Sequence, residues 1–379
     1  MHIQIYLIVS FITIVISKNN EFITQTTTYE ECSSNISNLY LDIAFVFDSS
    51  YGSDEQGFNG QLLSISGFLG KGFLIQQGAK TQSTRVSYIT MANKVVTFSN
   101  LTTYNSVDEA RSGLLDLSYY ANKGPNENIY EGLMEAYNQL NDFGRDGYKK
   151  LIVLFTSFTK IDCDSEMSNG NSSNTKNPCR AADSIKGHNI DILIINLNYH
   201  DSPPPEIKHI ASPNYDIPND NNLLQNLIKL STYSNCNCPS RYTQFGDVSI
   251  NFKGRTCGYY EDTPTYYYVL TEKIKGDNSR LVEIRSERKQ NFTKSLCGDD
   301  DCFFGLNQLK KKGQWEWDGS DTEFDPKEFD NFDPDQEKVD GCGYIGNATG
   351  KWYSTDCYNT EKSYIYEIIA CDTENFCLF

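Results

Sequence analysis

Along roughly the first two-thirds of the chain, apolar residues recur in two alternating rhythms: short continuous runs and helix-spaced stripes. Residues 39–47 are apolar but for Asp42 and read as a buried strand. Residues 60–73 carry helical spacing. Residues 84–90 and 94–98 read as two strands joined by a tight turn, and residues 106–121 and 129–143 return to helical periodicity. Residues 151–155, Leu-Ile-Val-Leu-Phe, form an unbroken apolar run that suits a central parallel strand. A short helix over 181–187, a buried strand over 191–197 and a closing helix over 221–233 follow. Strands alternating with helices predict a doubly wound, mostly parallel sheet, with any ligand at the C-terminal ends of its strands.

After Cys238 the rhythm changes to short aromatic runs, which predicts a second domain over 238–379 behind a first domain over 32–236. The runs include Tyr266-Tyr267-Tyr268-Val269-Leu270, Phe303-Phe304-Gly305-Leu306, Trp315-Glu316-Trp317-Asp318-Gly319 and Tyr364-Ile365-Tyr366.

Residues 3–16 are apolar apart from Gln4, Tyr6, Ser10 and Thr13, a run too short to span a bilayer comfortably. Residues 1–17 therefore read as a cleaved secretory signal, with a mature start near Lys18 and no membrane insertion of the mature chain; a membrane anchor is the competing reading. All twelve cysteines lie downstream of it, an even number that reads as disulfides in an extracellular chain. A Cys32–Cys236 bond would tie the ends of the first domain together, and Cys163–Cys179 would close a polar loop. Sequons at Asn35, Asn100, Asn171, Asn291 and Asn347 are candidate glycan sites. The formal net charge of −17 argues against nucleic acid and anionic membranes as partners.

The first half resembles the von Willebrand factor A family. The order of elements matches, and Phe45-Val46-Phe47-Asp48-Ser49-Ser50 looks like that family's first strand entering its metal-binding loop. The resemblance implies a Mg²⁺ site built from Asp-x-Ser-x-Ser, a Thr on a second loop and an Asp on a third. Here Asp48 and Ser50 remain, Gly52 replaces the second Ser, 124–128 offers no Thr, and Ser157 replaces the Asp. Two surviving ligands do not outcompete the hydration shell of Mg²⁺, so the site reads as degenerate. Glu127 is a substitute in principle. Asp48 is expected instead to cap backbone N–H groups of its loop.

The second half resembles C-type-lectin-like domains. Phe303-Phe304-Gly305-Leu306 and Trp315 to Gly319 stand where that family has Trp-Ile-Gly-Leu and Trp-x-Trp-x-Asp-Gly. Cys342, Cys357 and Cys371 match three of its four core cysteines, and Ile274 or a neighbour occupies the place of the first. The implied fold class is a von Willebrand factor A-like doubly wound α/β sheet followed by an α+β C-type-lectin-like domain, an order similar to secreted lectin-like proteins of nematodes. The resemblance implies Cys342–Cys357 and Cys238–Cys257 bonds and leaves the pairing of Cys297, Cys302, Cys371 and Cys377 open. It also implies a Ca²⁺ loop at Asp333-Pro334-Asp335, with a proline that is commonly cis there, and Asp340 and Asp356 as further candidates. The facing strand, Trp352-Tyr353-Ser354, lacks the family's Asn and Asp, so calcium binding should be weak. A plain solvated acidic loop is the other reading, with eleven carboxylates between residues 316 and 340. Trp352 reads as core rather than as a ligand platform.

After the signal, the histidines are His188, His200 and His209, and none stands in a nucleophile–base motif. The expectation is a secreted binder, not an enzyme, that recognises carbohydrate or glycoconjugate. The alternative is an extracellular protein–protein interaction module that binds no sugar, and a secreted hydrolase is a distant third.

Overall fold

The computed structural model describes residues 31–78, 80–158, 176–198, 208–274, 279–320, 322–336 and 341–378. The candidates Cys163, Asn171, Asp340 and the segment 1–17 lie outside the described residues.

The first domain is a six-stranded sheet in the order β3-β2-β1-β4-β5-β6. Its strands are β1 (Asp42–Asp48), β2 (Arg85–Met91), β3 (Val95–Ser99), β4 (Lys150–Thr156), β5 (Ile190–Asn196) and β6 (Asp216–Pro218). All neighbours run parallel except β3, which is antiparallel to β2. Helices α1 (Asp54–Leu69), α2 (Val107–Leu115), α3 (Ile129–Asp142), α4 (Pro178–Gly187) and α5 (Leu223–Asn235) accompany the sheet. Every residue of β1 is buried, as a strand covered on both faces requires.

Two helices depart from the apolar pattern. The first begins at Asp54, not at 60, because its opening turn is polar; Asp54 and Glu55 there suit the positive end of the helix dipole. The stretch 106–121 breaks at Leu115, which is 81% exposed, and resumes as a 3₁₀ turn over Tyr119–Ala121. The helix starts that were legible carry side-chain caps: Ser106 accepts from the Glu109 amide and Asn128 from that of Glu131.

The second domain holds an eight-stranded sheet whose main path is β13-β12-β10-β14-β8-β7, with β11 on β10 and β9 on β14. Its elements are β7 (Thr243–Asp247), β8 (Phe252–Tyr266), α6 (Tyr267–Lys273), β9 (Arg280–Leu281), α7 (Glu287–Cys297), β10 (Cys302–Asn307), β11 (Glu316–Trp317), β12 (Cys342–Ile345), β13 (Trp352–Thr355) and β14 (Glu361–Ile369). Ile274 is buried at the end of α6. Trp352 is fully buried, and its ring meets Phe304, Trp317, Phe324, Phe329 and Phe332. Its indole N–H donates to Gln290 Oε1 at 2.6 Å, so the polar edge is satisfied inside the core.

Disulfides join Cys32 to Cys236, Cys238 to Cys257, Cys297 to Cys302, Cys342 to Cys357 and Cys371 to Cys377. The last of these closes the question of Cys371, whose usual partner position holds no cysteine. Cys179 is disulfide-bonded.

The C-terminal segment returns to the first domain. Asp372 Oδ2 accepts from the Ser33 amide, Gln82 donates to the Thr373 carbonyl, and the Tyr40 and Phe376 rings meet edge-on at 4.8 Å. Tyr40 and Gln82 precede β1 and β2, so this seam lies at the N-terminal ends of the parallel strands, opposite the end where ligands are expected.

Candidate functional site

At the C-terminal ends of β1 and β4 the loops 48–52, 124–127 and 156–158 converge. Tyr51 donates its amide to the Gly124 carbonyl at 2.8 Å, which ties the first loop to the second. Asp48 is fully buried. Its Oδ1 accepts from the Ser50 amide at 2.8 Å and its Oδ2 from the Ser157 amide at 2.9 Å, which ties the first loop to the third. Asp48 thus caps backbone donors, as a short carboxylate at a strand-to-helix loop does. Gln61, on α1, fixes the loop from below by bonding both the amide and the carbonyl of Asp48.

Ser50 Oγ and Ser157 Oγ stand 3.4 Å apart. A Cβ at position 52 would fall 2.5 Å from Ser157 Oγ, so the Ser157 hydroxyl occupies the room that a side chain at Gly52 would need. Glu127 completes a pocket of about 370 Å³ with Ser50, Ser157 and Phe158. Both of its carboxylate oxygens are enclosed and make no hydrogen bond. The Thr156 hydroxyl and the Ser157 and Phe158 amides face it without bonding geometry. Burial, and then the Asp48 charge, push its carboxyl well above the ordinary range against the pull of those donors.

In the second domain the acidic loop folds back over β13. Phe332 bridges to Trp352, and the Asp333 amide donates to the Trp352 carbonyl at 3.0 Å. Asp333 Oδ2 accepts from the Tyr353 hydroxyl at 2.7 Å, and Oδ1 accepts from the Asp335 amide at 2.9 Å. The Tyr353 bond, then the Asp335 amide, hold the Asp333 carboxyl below the ordinary carboxylate range. Asp335 is exposed. Asp356 is engaged in its own turn, accepting from the Tyr358 and Asn359 amides. The described residues contain no cis peptide, so the bond before Pro334 is trans, not cis as the resemblance implied.

A family model for the von Willebrand factor type A domain matches residues 42–229, and one for the C-type lectin domain matches residues 274–365. The chain is a von Willebrand factor A-like domain followed by a C-type-lectin-like domain.

Solved structures similar to it include proximal thread matrix protein 1 from the mussel byssus, with its MIDAS motif occupied by zinc. That match has 19% identity and a TM-score of 0.42, covering 53% of this chain and 47% of the mussel chain. The chain thus spans about half the length of that relative. A calcium-independent type II antifreeze protein matches at 20% identity and a TM-score of 0.30, covering 36% of this chain and 96% of its own. The carbohydrate-recognition domain of mouse scavenger receptor C-type lectin matches at 18% identity and a TM-score of 0.30, covering 35% and 96%. No curated protein matches the chain. The two domain types point to extracellular recognition or adhesion. Among the described residues no helix is long and apolar enough to cross a membrane.

The two metal loops implied by these domains differ in fit. At the A-like apex, Asp48, Ser50, Ser157 and Glu127 are all oxygen donors, and the orphaned Glu127 carboxylate beside Asp48 is a charge pattern that a bound cation reverses. These four residues fit a hard divalent ion. At the lectin loop the residues do not fit calcium. Tyr353 donates to the carboxylate that calcium would need, and Ser354 is buried on the facing strand. Sequence reasoning named Glu127 and Ser157 singly but missed that the fold brings them together. Nothing in the sequence signalled the Tyr353–Asp333 bond.

The sequons are unequal. Asn35 and Asn291 are exposed, the latter on α7. Asn347 is exposed but donates its side-chain amide to the Asp299 carbonyl at 2.9 Å. Asn100 is half-buried, with Oδ1 accepting from Thr102 and Thr103.

Proposed function

We propose that this is a secreted recognition protein that acts by binding, not catalysis, and whose lectin-like domain engages an extracellular protein partner without calcium. The observation that carries the reading is the Tyr353 hydroxyl seated on Asp333, which gives the loop its order through a side-chain bond and an aromatic core. Secretion is supported by the extracellular character of both domain types and by the disulfides. The absence of catalysis is supported by the surroundings of the described histidines: His188 binds the Ser184 carbonyl within its own helix, and no carboxylate orients it.

A second reading, glycan binding without calcium, is favoured by a groove of about 480 Å³ beside the loop. Gln290, Asn331, Asn347 and Lys351 line it, and amides and an ammonium suit sugar hydroxyls. A glycan array run with calcium and with chelator separates the readings. No glycan signal in either condition is the expected result. Chelator-resistant binding selects the second reading, and binding that needs calcium overturns the calcium-independent proposal.

A further inference from the structure

Where β8 runs into α6, two tyrosines turn away from the core and a third joins them from another loop. Tyr266 and Tyr268 stack with ring centroids 6.1 Å apart and planes 27° from parallel. Tyr358, on the turn between β13 and β14, stacks on Tyr268 at 5.2 Å and 30°. The core takes only the ring between them, Tyr267, which is fully buried against Phe303. Tyr268 is left 43% exposed and Tyr358 58% exposed. Single exposed apolar residues are ordinary, but a contiguous ladder of rings marks a contact surface.

Carboxylates rim the ladder. The Tyr266 hydroxyl donates to Glu361, its cross-strand partner on β14. Asp356 accepts from the Tyr358 amide at 2.7 Å. Glu272 stands one helical turn beyond Tyr268, on the same side of α6. All three acids are exposed. The neighbouring lysines spend their charge on other rings: Lys273 lies over Tyr364 and Lys362 over Tyr344. We propose that this ladder docks an arginine-bearing segment of the extracellular protein partner, its guanidinium groups lying on Tyr268 and Tyr358 inside the carboxylate rim. The inference rests on the reading of the lectin-like domain as a binder of protein without calcium.

The chemistry selects that occupant. The negative ring faces attract a cation, and a planar guanidinium stacks on them while donating to the acids at the edge. A neutral sugar would leave three carboxylates uncompensated. The net charge of −17 draws a basic segment to the chain from a distance. The surface is also set before the partner arrives. Cys357, next to Tyr358, is bonded to Cys342, and its carbonyl accepts from the Tyr268 amide at 3.3 Å. Asp356 holds the turn by accepting from the Tyr358 and Asn359 amides. Tied backbones and two-torsion aromatic side chains lose little freedom on binding, which is why tyrosine serves as an interface anchor.

The test uses the full chain and, as probe, a labelled arginine–glycine repeat peptide, titrated by fluorescence anisotropy in chelator at physiological salt. Saturable binding of one peptide per chain is expected. Tyr268→Ala combined with Tyr358→Ala removes two rings and no charge, and is expected to weaken binding roughly ten-fold, the loss of two cation–ring contacts. Tyr268→Phe combined with Tyr358→Phe keeps the rings and is expected to bind as the native chain does. Melting temperature reports whether the alanine pair folds; Tyr358→Ala alone, at the more exposed position, is expected to show a smaller loss in the same direction. Glu361→Gln is expected to weaken binding and to reduce its dependence on salt. Binding by Tyr358→Ala as tight as that of the native chain overturns the proposal, because overall negative charge would then suffice. Absence of saturable binding overturns it too, and beside a silent glycan array leaves the wider reading of a protein partner in place. Glycan binding that the alanine pair abolishes assigns the ladder to sugar and overturns both.

Discussion

Tyr353 on β13 donates its hydroxyl to Asp333 Oδ2 at 2.7 Å, and the same hydroxyl lies 2.8 Å from Thr349 Oγ1. The acidic loop is therefore fastened to the strand by a phenol at the point where C-type lectins would use an ion. The aromatic ladder behind it, Phe332 on Trp352 at 5.6 Å, supplies the rest of the loop's order.

Removing that bond with Tyr353→Phe should lower the stability only slightly, because the bond is exposed to solvent, and should confer no calcium response. Any calcium-linked change in Tm of the full chain should persist unchanged in Asp333→Asn. Thermal melts with chelator and with roughly 1 mM Ca²⁺ check this; a shift of several degrees that Asp333→Asn removes would restore calcium to the loop.

The parallel sheet was legible because its strands are buried on both faces: residues 151–155 and 192–195 are fully apolar and almost wholly inaccessible. The start of α1 was not, because its first turn presents polar side chains to solvent and offers no apolar period to read. The sites were less legible than the fold. Gly52 and Ser157 each look like a lost ligand in the sequence, and only the tertiary structure shows that the Ser157 hydroxyl fills the space beside Gly52. Tyr353 looks like a lost asparagine for the same reason. Its hydroxyl acts on a residue of another loop, which no local spacing reveals.

A buried charge cluster fixes the lectin-like core. Lys289 Nζ lies 2.6 Å from Glu367 Oε2, and Arg280 Nε lies 3.1 Å from Glu367 Oε1, with the Lys289 and Glu367 side chains 1% and 2% exposed. Burial alone would raise the Glu367 carboxyl, but Lys289 and Arg280 together bring it below the ordinary range. A depressed acid stabilises the fold above the ordinary glutamate range, and that contribution is lost as pH falls through the lowered folded value. Glu367→Gln should cost about 3–5 kcal/mol at neutral pH by stranding Lys289, while Arg280 keeps Glu283 at 3.1 Å, and it should flatten the decline in stability below about pH 4. Urea midpoints measured between neutral pH and pH 3 check both the cost and the slope.

The disulfides should differ in worth by the loops they close. Cys32–Cys236 spans 204 residues and Cys371–Cys377 spans 6. In the chain-entropy view the first contributes roughly 5 kcal/mol and the second roughly 2 kcal/mol. Paired serine substitutions, compared by denaturant midpoint, should rank in that order. Thiol titration of the native chain, denatured but unreduced, should find no reactive thiol; two or more per chain would contradict the pairing.

The remaining prediction concerns the seam between the domains, and it turns on Asp372. This carboxylate is fully buried in the C-terminal segment and serves both domains at once. Its Oδ2 accepts from the Ser33 amide at the edge of the A-like domain and pairs with Arg255 Nε at 2.6 Å on β8 of the lectin-like domain. Its Oδ1 accepts from the amides of Glu374 and Asn375, which shape the turn that presents Phe376 to Tyr40. Asp372→Ala removes a buried anion from between a half-buried guanidinium and three amides, so the loss should be about 3 kcal/mol and should fall on the contact between domains. Calorimetry of the native chain should show a single cooperative transition, because the seam couples the two folds. Asp372→Ala should separate it into two, with Tyr40→Ala doing so to a smaller extent. Two transitions already present in the native chain, or one unshifted transition in Asp372→Ala, would mean that the domains are coupled elsewhere or not at all.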